Sequence, residues 1–212
     1  MNRITAVVAG LSLAFVGTST TFAATINVPG DHATIYDAIN ASSNGDVIAI
    51  AAGTYIEHPL STHGKAITIG SASGNLDVTI DFDHYGGVFI GDGEGSGTVI
   101  QNLVLTGAYA WIGGGGIYCD NSNPTITGCT IANNTTDWYG GGIYLTGSSP
   151  TISGCTISGN STSGGDDSVN GEAWPWGPSG GGGIYCNNNS NPNITDCTIT
   201  GNAAPGTNGG GG

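Results

Sequence analysis

The stretch GGIYC at residues 115–119 returns as GGIYL at residues 141–145 and as GGIYC at residues 182–186. A second block follows each copy and reads PTITGCTI at residues 124–131, PTISGCTI at residues 150–157 and PNITDCTI at residues 192–199. The steps from Ile100 to Ile126 and from Ile126 to Ile152 are both 26 residues, whereas the step from Ile152 to Ile194 is 42. An internal repeat of this length is typical of a solenoid, in which each unit stacks on the previous one.

Within one repeat, the apolar residues occur in short alternating bursts bounded by Gly, Asn and Pro. Ile117 and Cys119 form the first burst, Ile126 lies in the second, and Cys129 and Ile131 form the third. Short bursts with a period of two residues predict β-strands. Three short strands per turn, with each turn stacked on its predecessor, predict an all-β fold, the parallel β-helix.

A bend between the second and third strands is the feature most specific for this fold. Ile126 and Cys129 are three residues apart, so both can face the interior only if the chain bends between them. In successive turns the bend position holds Asn102, Gly128, Gly154 and Asp196. These residue types tolerate a left-handed backbone, which a sharp bend requires.

The same spacing predicts two further columns of stacked side chains. The first holds amides that can hydrogen-bond along the stack: Asn134, Asn160 and Asn202. The second faces inward: Leu103, Cys129, Cys155 and Cys197. We interpret its cysteines as small apolar core residues, and a disulfide between neighbouring turns stays open as an alternative. The CxxC spacing of zinc sites is absent, so no zinc site is predicted.

The N-terminal region differs from the repeats. Residues 1–23 are typical of a secretory signal peptide, because Arg3 precedes an apolar run that is too short to span a bilayer. Residues 24–60 are predicted to form an N-terminal cap, with a short helix and the first strand. The helix is expected to begin after Thr34 as its cap and to stop by Gly45, covering the open end of the core.

Residues 61–212 are predicted to form the β-helix proper. The chain stops where another GGIY strand should begin, so we expect the β-helix to be truncated at its C-terminus. An uncapped last turn would allow end-to-end self-association. No stretch of the mature chain is long and apolar enough for a transmembrane helix. We therefore expect a secreted or cell-surface protein.

The charge excludes some classes of partner. The chain has 2 Lys and Arg residues against 15 Asp and Glu residues, which gives a net charge of -13. A nucleic-acid-binding protein needs cations to displace counterions from phosphates, so that class is excluded. Binding to an anionic membrane surface is disfavoured for the same reason.

Several of these motifs resemble known families. The segments INVPG at residues 26–30, ATI at residues 33–35, GDV at residues 45–47 and GTY at residues 53–55 resemble the opening of bacterial pectin-lyase-like proteins. The GGGIY and TISGN blocks resemble right-handed parallel β-helix repeats and the repeats of polymorphic outer-membrane proteins. The resemblance implies a right-handed, single-stranded parallel β-helix. It says little about function, because this fold hosts lyases, hydrolases, esterases, epimerases and adhesins.

In the pectin-lyase-like superfamily, sugar polymers usually lie across the outer face of the first strand of each turn. If Ile117 and Cys119 point inward, Tyr118 points outward towards that face. The resemblance then implies a carbohydrate-binding edge formed by aromatic residues of these strands and of the loops before them: Phe89, Trp111, Tyr118, Trp138, Tyr139, Tyr144, Trp174, Trp176 and Tyr185. Flat rings suit the C–H faces of sugars. The alternative is that the rings pack over the strand face and shield it. A polysaccharide or cell-surface glycan is the expected partner.

An enzymatic role is the competing hypothesis. Glycoside hydrolysis requires a pair of carboxylates, and the candidates near the aromatic residues are Asp137, Asp166, Asp167 and Glu172. Solvated turn acids are the alternative interpretation. Lyases and methylesterases of this fold use Arg or Lys, yet the mature chain has no Arg and places Lys65 far from the aromatic residues. The sequence therefore favours a role without catalysis.

Two further hypotheses concern calcium and ice. Acidic residues around one early turn could bind calcium, although their spacing matches no EF-hand: Asp81, Asp83, Asp92 and Glu94. No other cofactor is predicted. Ice binding is a third alternative for the function, because polar residues form a small outward grid: Thr125, Thr127, Thr151, Ser153, Asn193 and Thr195.

Overall fold

The computed structural model describes residues 23–163 and 180–204. Within these ranges the chain forms one helix, α1 (Ile35–Ala41), and short strands that pair only in parallel. Among the described residues, no helix is long and apolar enough to cross a membrane. The predicted signal peptide, apart from Ala23, lies outside these ranges.

The strands stack into four sheets, named A to D. Sheet A contains β1 (Thr25–Val28), β2 (Val47–Ile50), β5 (Thr68–Ser71), β8 (Val99–Gln101), β12 (Thr125–Thr127), β16 (Thr151–Ser153) and β20 (Asn193–Thr195). Sheet B contains β3 (Gly53–Ile56), β6 (Val78–Asp81), β9 (Val104–Thr106), β13 (Thr130–Ala132), β17 (Thr156–Ser158) and β21 (Thr198–Thr200). Sheet C contains β4 (Leu60–Ser61), β7 (Val88–Ile90), β11 (Ile117–Asp120), β15 (Ile143–Thr146) and β19 (Ile184–Asn187). Sheet D contains β10 (Tyr109–Ala110), β14 (Thr135–Thr136) and β18 (Ser161–Thr162).

Each turn from β2 onward visits sheets A, B and C in the same order, and the turns that begin at β8, β12 and β16 add a strand of sheet D between B and C, so the chain is a parallel β-helix as predicted. One turn runs through β12, β13, β14 and β15 before β16 stacks on β12. Ile126 pairs with Ile152, and Ile152 pairs with Ile194 across the longer step. The inserted residues therefore leave the register unchanged. The strands β1 to β3, which lie within residues 24–60, and β4, which begins at Leu60, pair into the same sheets as the later turns.

The interior consists of stacked apolar columns. The longest described column runs through sheet A and holds Ile48, Ile69, Ile100, Ile126 and Ile152, each at most 2% exposed. Full burial of an Ile side chain stabilises a fold by about 1.5–3 kcal/mol. In the last described turn the interior becomes open to solvent, because Ile194 of sheet A and Ile199 of sheet B are each 38% exposed. End-to-end self-association at this turn stays a prediction.

Left-handed residues mark the corners of every repeated turn. The predicted bend residues have positive φ angles: 53° at Asn102, 62° at Gly128, 60° at Gly154 and 54° at Asp196. The prediction is therefore confirmed at all four positions. Three further corners also hold residues with positive φ angles. The corner after sheet B holds Gly107, Asn133, Gly159 and Gly201. The corner before sheet C holds Gly114, Gly140 and Gly181, and the corner after sheet C holds Asn121, Gly147 and Asn188.

The predicted asparagine column is confirmed as a buried hydrogen-bond ladder. The Asn160 Oδ1 accepts hydrogen bonds from the Asn134 backbone N at 3.0 Å and from its Nδ2 at 3.1 Å. The Asn202 Oδ1 accepts the equivalent bonds from Asn160 at 3.0 and 2.9 Å. Each Nδ2 also donates to a backbone carbonyl, as Asn160 does to Ile131 O at 2.8 Å. The ladder thus satisfies polar groups that the corner would otherwise leave buried and unpaired.

Helix α1 covers the N-terminal end of the core, as predicted. Thr34 is its N-cap, and the Thr34 Oγ1 accepts from the Asp37 backbone N at 3.0 Å. The helix packs its buried residues Ile35, Ala38 and Ile39 against β1, β2 and β4. It ends at Ala41, before the predicted stop at Gly45, because Ser42 is extended. The Lys65 Nζ donates to the carbonyls of Ile39 and Asn40 at 2.6 and 3.0 Å, which stabilises this end.

Sheet D was not predicted, since the repeat pattern indicated three strands per turn. Its strands are two residues long and lie at the corner between sheets B and C. A two-residue strand is too short to show an alternating pattern, which explains why the sequence did not reveal it.

The left-handed corner at Gly154 allows a direct test of backbone strain. A Cβ atom at Gly154 would meet no neighbour closer than Gly128 N at 3.9 Å, so an added side chain has room. We expect Gly154→Ala to lower the free energy of unfolding by about 1–2 kcal/mol, because a left-handed backbone is unfavourable for Ala. Gly154→Asn should cost less, since Asn tolerates this conformation. Equal losses in urea denaturation would contradict the strain explanation.

The asparagine ladder generates a second prediction. Asn160→Ala should lower the free energy of unfolding by about 3 kcal/mol, because the backbone N of Asn134 and the carbonyl of Ile131 lose partners inside the core. The matched control is Asn123→Ala, which removes an exposed hydrogen bond to the Ser149 N and should cost less than about 1 kcal/mol. Similar losses for both variants, measured by chemical denaturation, would show that the ladder adds little.

Candidate functional site

The outward aromatic residues of sheet C form a continuous column, as predicted. Phe89, Tyr118, Tyr144 and Tyr185 are directly paired from turn to turn. The ring centroids of Phe89 and Tyr118 are 5.3 Å apart, and those of Tyr118 and Tyr144 are 4.9 Å apart in a stacked arrangement. Their neighbours Ile117 and Cys119 are fully buried, which confirms the assignment of inward and outward faces. These four residues are called the aromatic column.

Glycines provide the space in which the rings of the column lie. A Cβ atom at Gly91 would be 2.1 Å from the Phe89 Cζ. A Cβ atom at Gly113 would be 2.5 Å from the Tyr144 Cδ1. Since real Cβ atoms never approach so closely, a larger residue would displace either ring. The runs of Gly before and after the strands of sheet C therefore serve the outer face as well as the corners.

Tyr139, which precedes sheet C in the same turn as Tyr144, covers the part of the aromatic column formed by Tyr144 and Tyr185. Tyr139 stacks on Tyr185 with centroids 4.7 Å apart and contacts Tyr144 at 5.6 Å. Tyr144 is only 7% exposed as a result. Burial also raises the pKa of Tyr118 to about 12. At Tyr144 the shielding interpretation of the aromatic residues is therefore correct.

The other part of the column, formed by Phe89 and Tyr118, lines a groove with a volume of about 320 Å³. The groove lies between β7 and β11 on one side and the segment of residues 109–114 on the other. Its large side chains are Pro59, Phe89, Tyr109, Trp111, Ile112 and Tyr118. Trp111 is 77% exposed and Ile112 is 65% exposed, so much apolar surface faces solvent here. These six residues are called the aromatic groove.

The structure places the predicted carbohydrate-binding residues in two groups. Phe89, Trp111 and Tyr118 line the groove, whereas Tyr139, Tyr144 and Tyr185 belong to the covered stack. Trp138 is half-buried and lies in the turn that follows the groove segment along the chain. Trp174 and Trp176 lie outside the described residues.

Three groove residues were not predicted from the sequence: Pro59, Tyr109 and Ile112. Tyr109 and Trp111 are two residues apart and line the same groove. This period-two spacing was a signal that could have identified Tyr109. The loop aromatic Tyr85, in contrast, packs edge-on against His58 with centroids 4.5 Å apart.

The candidate catalytic residue Asp137 is engaged in hydrogen bonds beside the groove. Its Oδ1 accepts from the Tyr109 hydroxyl at 2.7 Å and from the Ser163 Oγ at 2.8 Å. The bond to Asp137 raises the pKa of Tyr109, since it favours the protonated phenol. Asp137 thus holds the Tyr109 ring at the groove. The other candidates, Asp166, Asp167 and Glu172, lie outside the described residues.

The four calcium candidates do not assemble into one site. Asp81 and Asp83 lie at the end of β6, where the Asp83 N donates to the Asp81 Oδ1 at 3.0 Å, whereas Asp92 and Glu94 follow β7. In residues 23–163 and 180–204, no group of three or more His, Cys, Asp or Glu residues could hold a metal ion. The sequence suggested a cluster because these acids are close along the chain, but they fall on different corners of the turn.

Glu94 instead ties three turns together. It is 4% exposed, and its carboxylate accepts from the Asp92 N at 2.7 Å, the Gly64 N at 3.0 Å, the Ser122 Oγ at 3.0 Å and the Thr62 hydroxyl. Burial acts to raise the pKa of Glu94, but these hydrogen bonds outweigh it and hold the pKa below its ordinary value. The carboxylate is therefore a structural group.

The polar grid on sheet A is interrupted. Thr125 stacks on Val99 and Thr127 stacks on Gln101, so the pattern of hydroxyls does not continue into the preceding turn. The Ser153 Oγ donates to the Thr127 Oγ1 at 3.0 Å, which occupies part of the hydroxyl surface. The short grid provides little support for ice binding.

Comparison with known proteins gives one result. A family model described as "Right handed beta helix region" matches residues 65–211, well over half of the chain. The match includes every strand from β5 onward. No curated protein and no solved structure shows a significant match.

The buried Glu94 carboxylate generates a prediction on pH dependence. Folding lowers the pKa of Glu94, so its carboxylate stabilises the folded state fully at pH values above the ordinary pKa of 4.5. This stabilisation is lost as the pH falls from 4.5 through the lower pKa of the folded state. Glu94→Gln should therefore cost about 1–3 kcal/mol at pH 7, and the difference from wild type should shrink below pH 4.5. Asp92→Asn, an exposed neighbour, should change stability by less than about 0.5 kcal/mol. A difference independent of pH would contradict this role.

Proposed function

The chain belongs to the family of right-handed β-helix proteins, and we propose that it is a carbohydrate-binding scaffold whose ligand lies in the aromatic groove. The observation that carries the proposal is the exposure of Trp111 and Ile112 beside the half-buried rings of Phe89 and Tyr118. Contiguous exposed apolar surface on a soluble domain usually marks a binding site. A concave groove of about 320 Å³ is large enough to bury part of a sugar chain.

The rings and hydroxyl groups of the aromatic groove favour saccharides over purely apolar ligands. Tyr109 and Tyr118 each combine a flat ring with a hydroxyl group, which suits a ligand that has both C–H faces and hydroxyls. The Tyr109 hydroxyl is held by Asp137, so its ring is already oriented before a ligand binds. Preorganised rings lose little conformational freedom on binding, which favours affinity.

The charges favour a neutral ligand. The net charge is -13, and Lys65 is the lone Lys or Arg after the predicted signal peptide. The Lys65 ammonium is bound to the end of helix α1, so it is not available to pair with a ligand carboxylate. Uronate polymers would meet repulsion without compensation. Neutral polysaccharides are therefore the proposed ligand class.

Binding without catalysis agrees best with the described residues. Asp137 is the one candidate carboxylate among them, and its Oδ1 already accepts two hydrogen bonds. Retaining and inverting glycosidases both need a second carboxyl group at a suitable distance. Hydrolysis of a neutral glycan is thus the alternative, and it depends on Asp166, Asp167 or Glu172. With the signal peptide predicted at residues 1–23, the scaffold would act outside the cell or on its surface.

The groove generates a test by affinity electrophoresis in gels that contain neutral glycans or polygalacturonate. We expect retardation by a neutral glycan and at least about tenfold weaker binding for Trp111→Ala, because a sugar loses the contact with the most exposed ring. Tyr36→Ala is the matched control, since Tyr36 is 48% exposed on helix α1 and should leave binding unchanged.

Other outcomes of this test separate the hypotheses. Wild-type protein that no neutral glycan retards, or Trp111→Ala protein that binds as tightly as wild type, would overturn the proposed site. Preference for polygalacturonate would overturn the charge argument. Release of reducing sugars that disappears in an Asp166→Ala, Asp167→Ala double variant would favour the hydrolase.

A further inference from the structure

Three cysteines form a stacked thiol column at the corner between sheets A and B. Cys129, Cys155 and Cys197 each follow a left-handed corner residue in successive turns. The strands on both sides are in register, with Ile152 on Ile194 and Thr156 on Thr198, so the cysteines between them are also stacked. The predicted inward column is thereby confirmed. Cys129 and Cys155 are each 1% exposed, while Cys197 is half-buried.

The sulfur atoms of this column are close to their neighbours in the next turn. The Cys155 backbone N donates to the Cys197 Sγ at 3.4 Å. The Cys197 Sγ in turn donates to the Ile152 carbonyl, in the turn of Cys155, at 3.7 Å. Equivalent residues of adjacent parallel strands lie about 4.8 Å apart, which falls within the Cα separations of about 4.4–6.8 Å that disulfides span.

The remaining cysteines lack such a neighbour. Cys186 is exposed, but it stacks on Leu145. Cys119 stacks on the opposite side of Leu145 and on Ile90. Neither can form a disulfide within its own column.

We propose that Cys155 and Cys197 form an intramolecular disulfide by exchange with a small disulfide such as oxidised glutathione. The reagent can reach Cys197, which is half-buried, whereas Cys129 and Cys155 are enclosed. This difference in access selects the pair of Cys155 and Cys197 over the pair of Cys129 and Cys155.

The exchange has two steps. The Cys197 thiolate first attacks one sulfur of glutathione disulfide, so one glutathione thiolate leaves and a mixed disulfide forms on Cys197. The Cys155 thiolate then attacks the Cys197 sulfur, the new S–S bond forms, and the second glutathione thiolate leaves. Two cysteine thiols are oxidised and one glutathione disulfide is reduced, while the two cysteine protons end on the released thiols.

The electrostatics of the column suit the second step. Hydrogen bonding with the Cys129 thiol lowers the pKa of Cys155, which favours the thiolate that the second step requires. Burial raises the pKa of Cys197, so the first step should be the slower one. The chain from Cys155 to Cys197 is 42 residues long and contains the inserted segment. A disulfide would close this loop and restrict the unfolded chain.

The test treats the purified full chain with oxidised glutathione and identifies cross-linked peptides by mass spectrometry after thiol alkylation. With alkylation carried out in denaturant, we expect one cross-linked peptide pair containing Cys155 and Cys197, alkylated Cys119 and Cys129, and a midpoint of thermal unfolding that rises by several degrees. Cys186→Ser is the matched control, because it removes the exposed thiol outside the column and should leave the cross-link intact.

Three results would overturn the proposal. One is a cross-link between a different pair of cysteines in the folded wild-type protein. Another is a glutathione adduct on Cys197 that persists without resolution by Cys155. The third is alkylation of both Cys155 and Cys197 in denaturant, after oxidation of protein whose circular dichroism showed an intact fold. None of these readouts depends on a variant, so a variant that fails to fold does not prevent the test.

Discussion

Backbone hydrogen bonds between successive turns hold each strand in register with its equivalent, and the rest of the structure depends on this register. The ladder pairs Ile100 with Ile126 and Ile126 with Ile152, so each inward residue lies on another inward residue. A slip of one residue would move the Ile column to the surface and place Thr side chains in the core. The left-handed corners maintain the register, because they turn the chain after the same number of residues in each repeat.

Much of the fold could be predicted because its features repeat. The corner column at Asn102, Gly128, Gly154 and Asp196 was identifiable since few residue types tolerate a left-handed backbone. The asparagine ladder and the aromatic column followed from the same spacing. Features that occur once were harder to predict. The end of helix α1 depends on the Lys65 ammonium from another turn, and the groove depends on Tyr109, which lies on a strand of two residues.

The acidic residues show why composition alone was a weak guide to chemistry. In a chain with 15 acids and 2 strong cations, most carboxylates must find partners other than cations. Glu94 accepts hydrogen bonds from two hydroxyls and two backbone amides, and hydrogen bonds from Ser71 and Ser73 lower the pKa of Asp77. Asp137 accepts from Tyr109 and Ser163. Among the described acids, Glu94 thus joins successive turns and Asp137 orients the Tyr109 ring.

The two side-chain hydrogen bonds of the asparagine ladder have nearly the same length, although the chain segments between their residues differ in length. The Asn160 and Asn202 side chains meet at 2.9 Å although 42 residues separate them, and Asn134 and Asn160 meet at 3.1 Å with 26 residues between them. The stacking geometry is therefore independent of how much chain connects β18 to β19. This junction is a natural position for grafting foreign peptides, which the scaffold could display beside its aromatic face without rebuilding its interior.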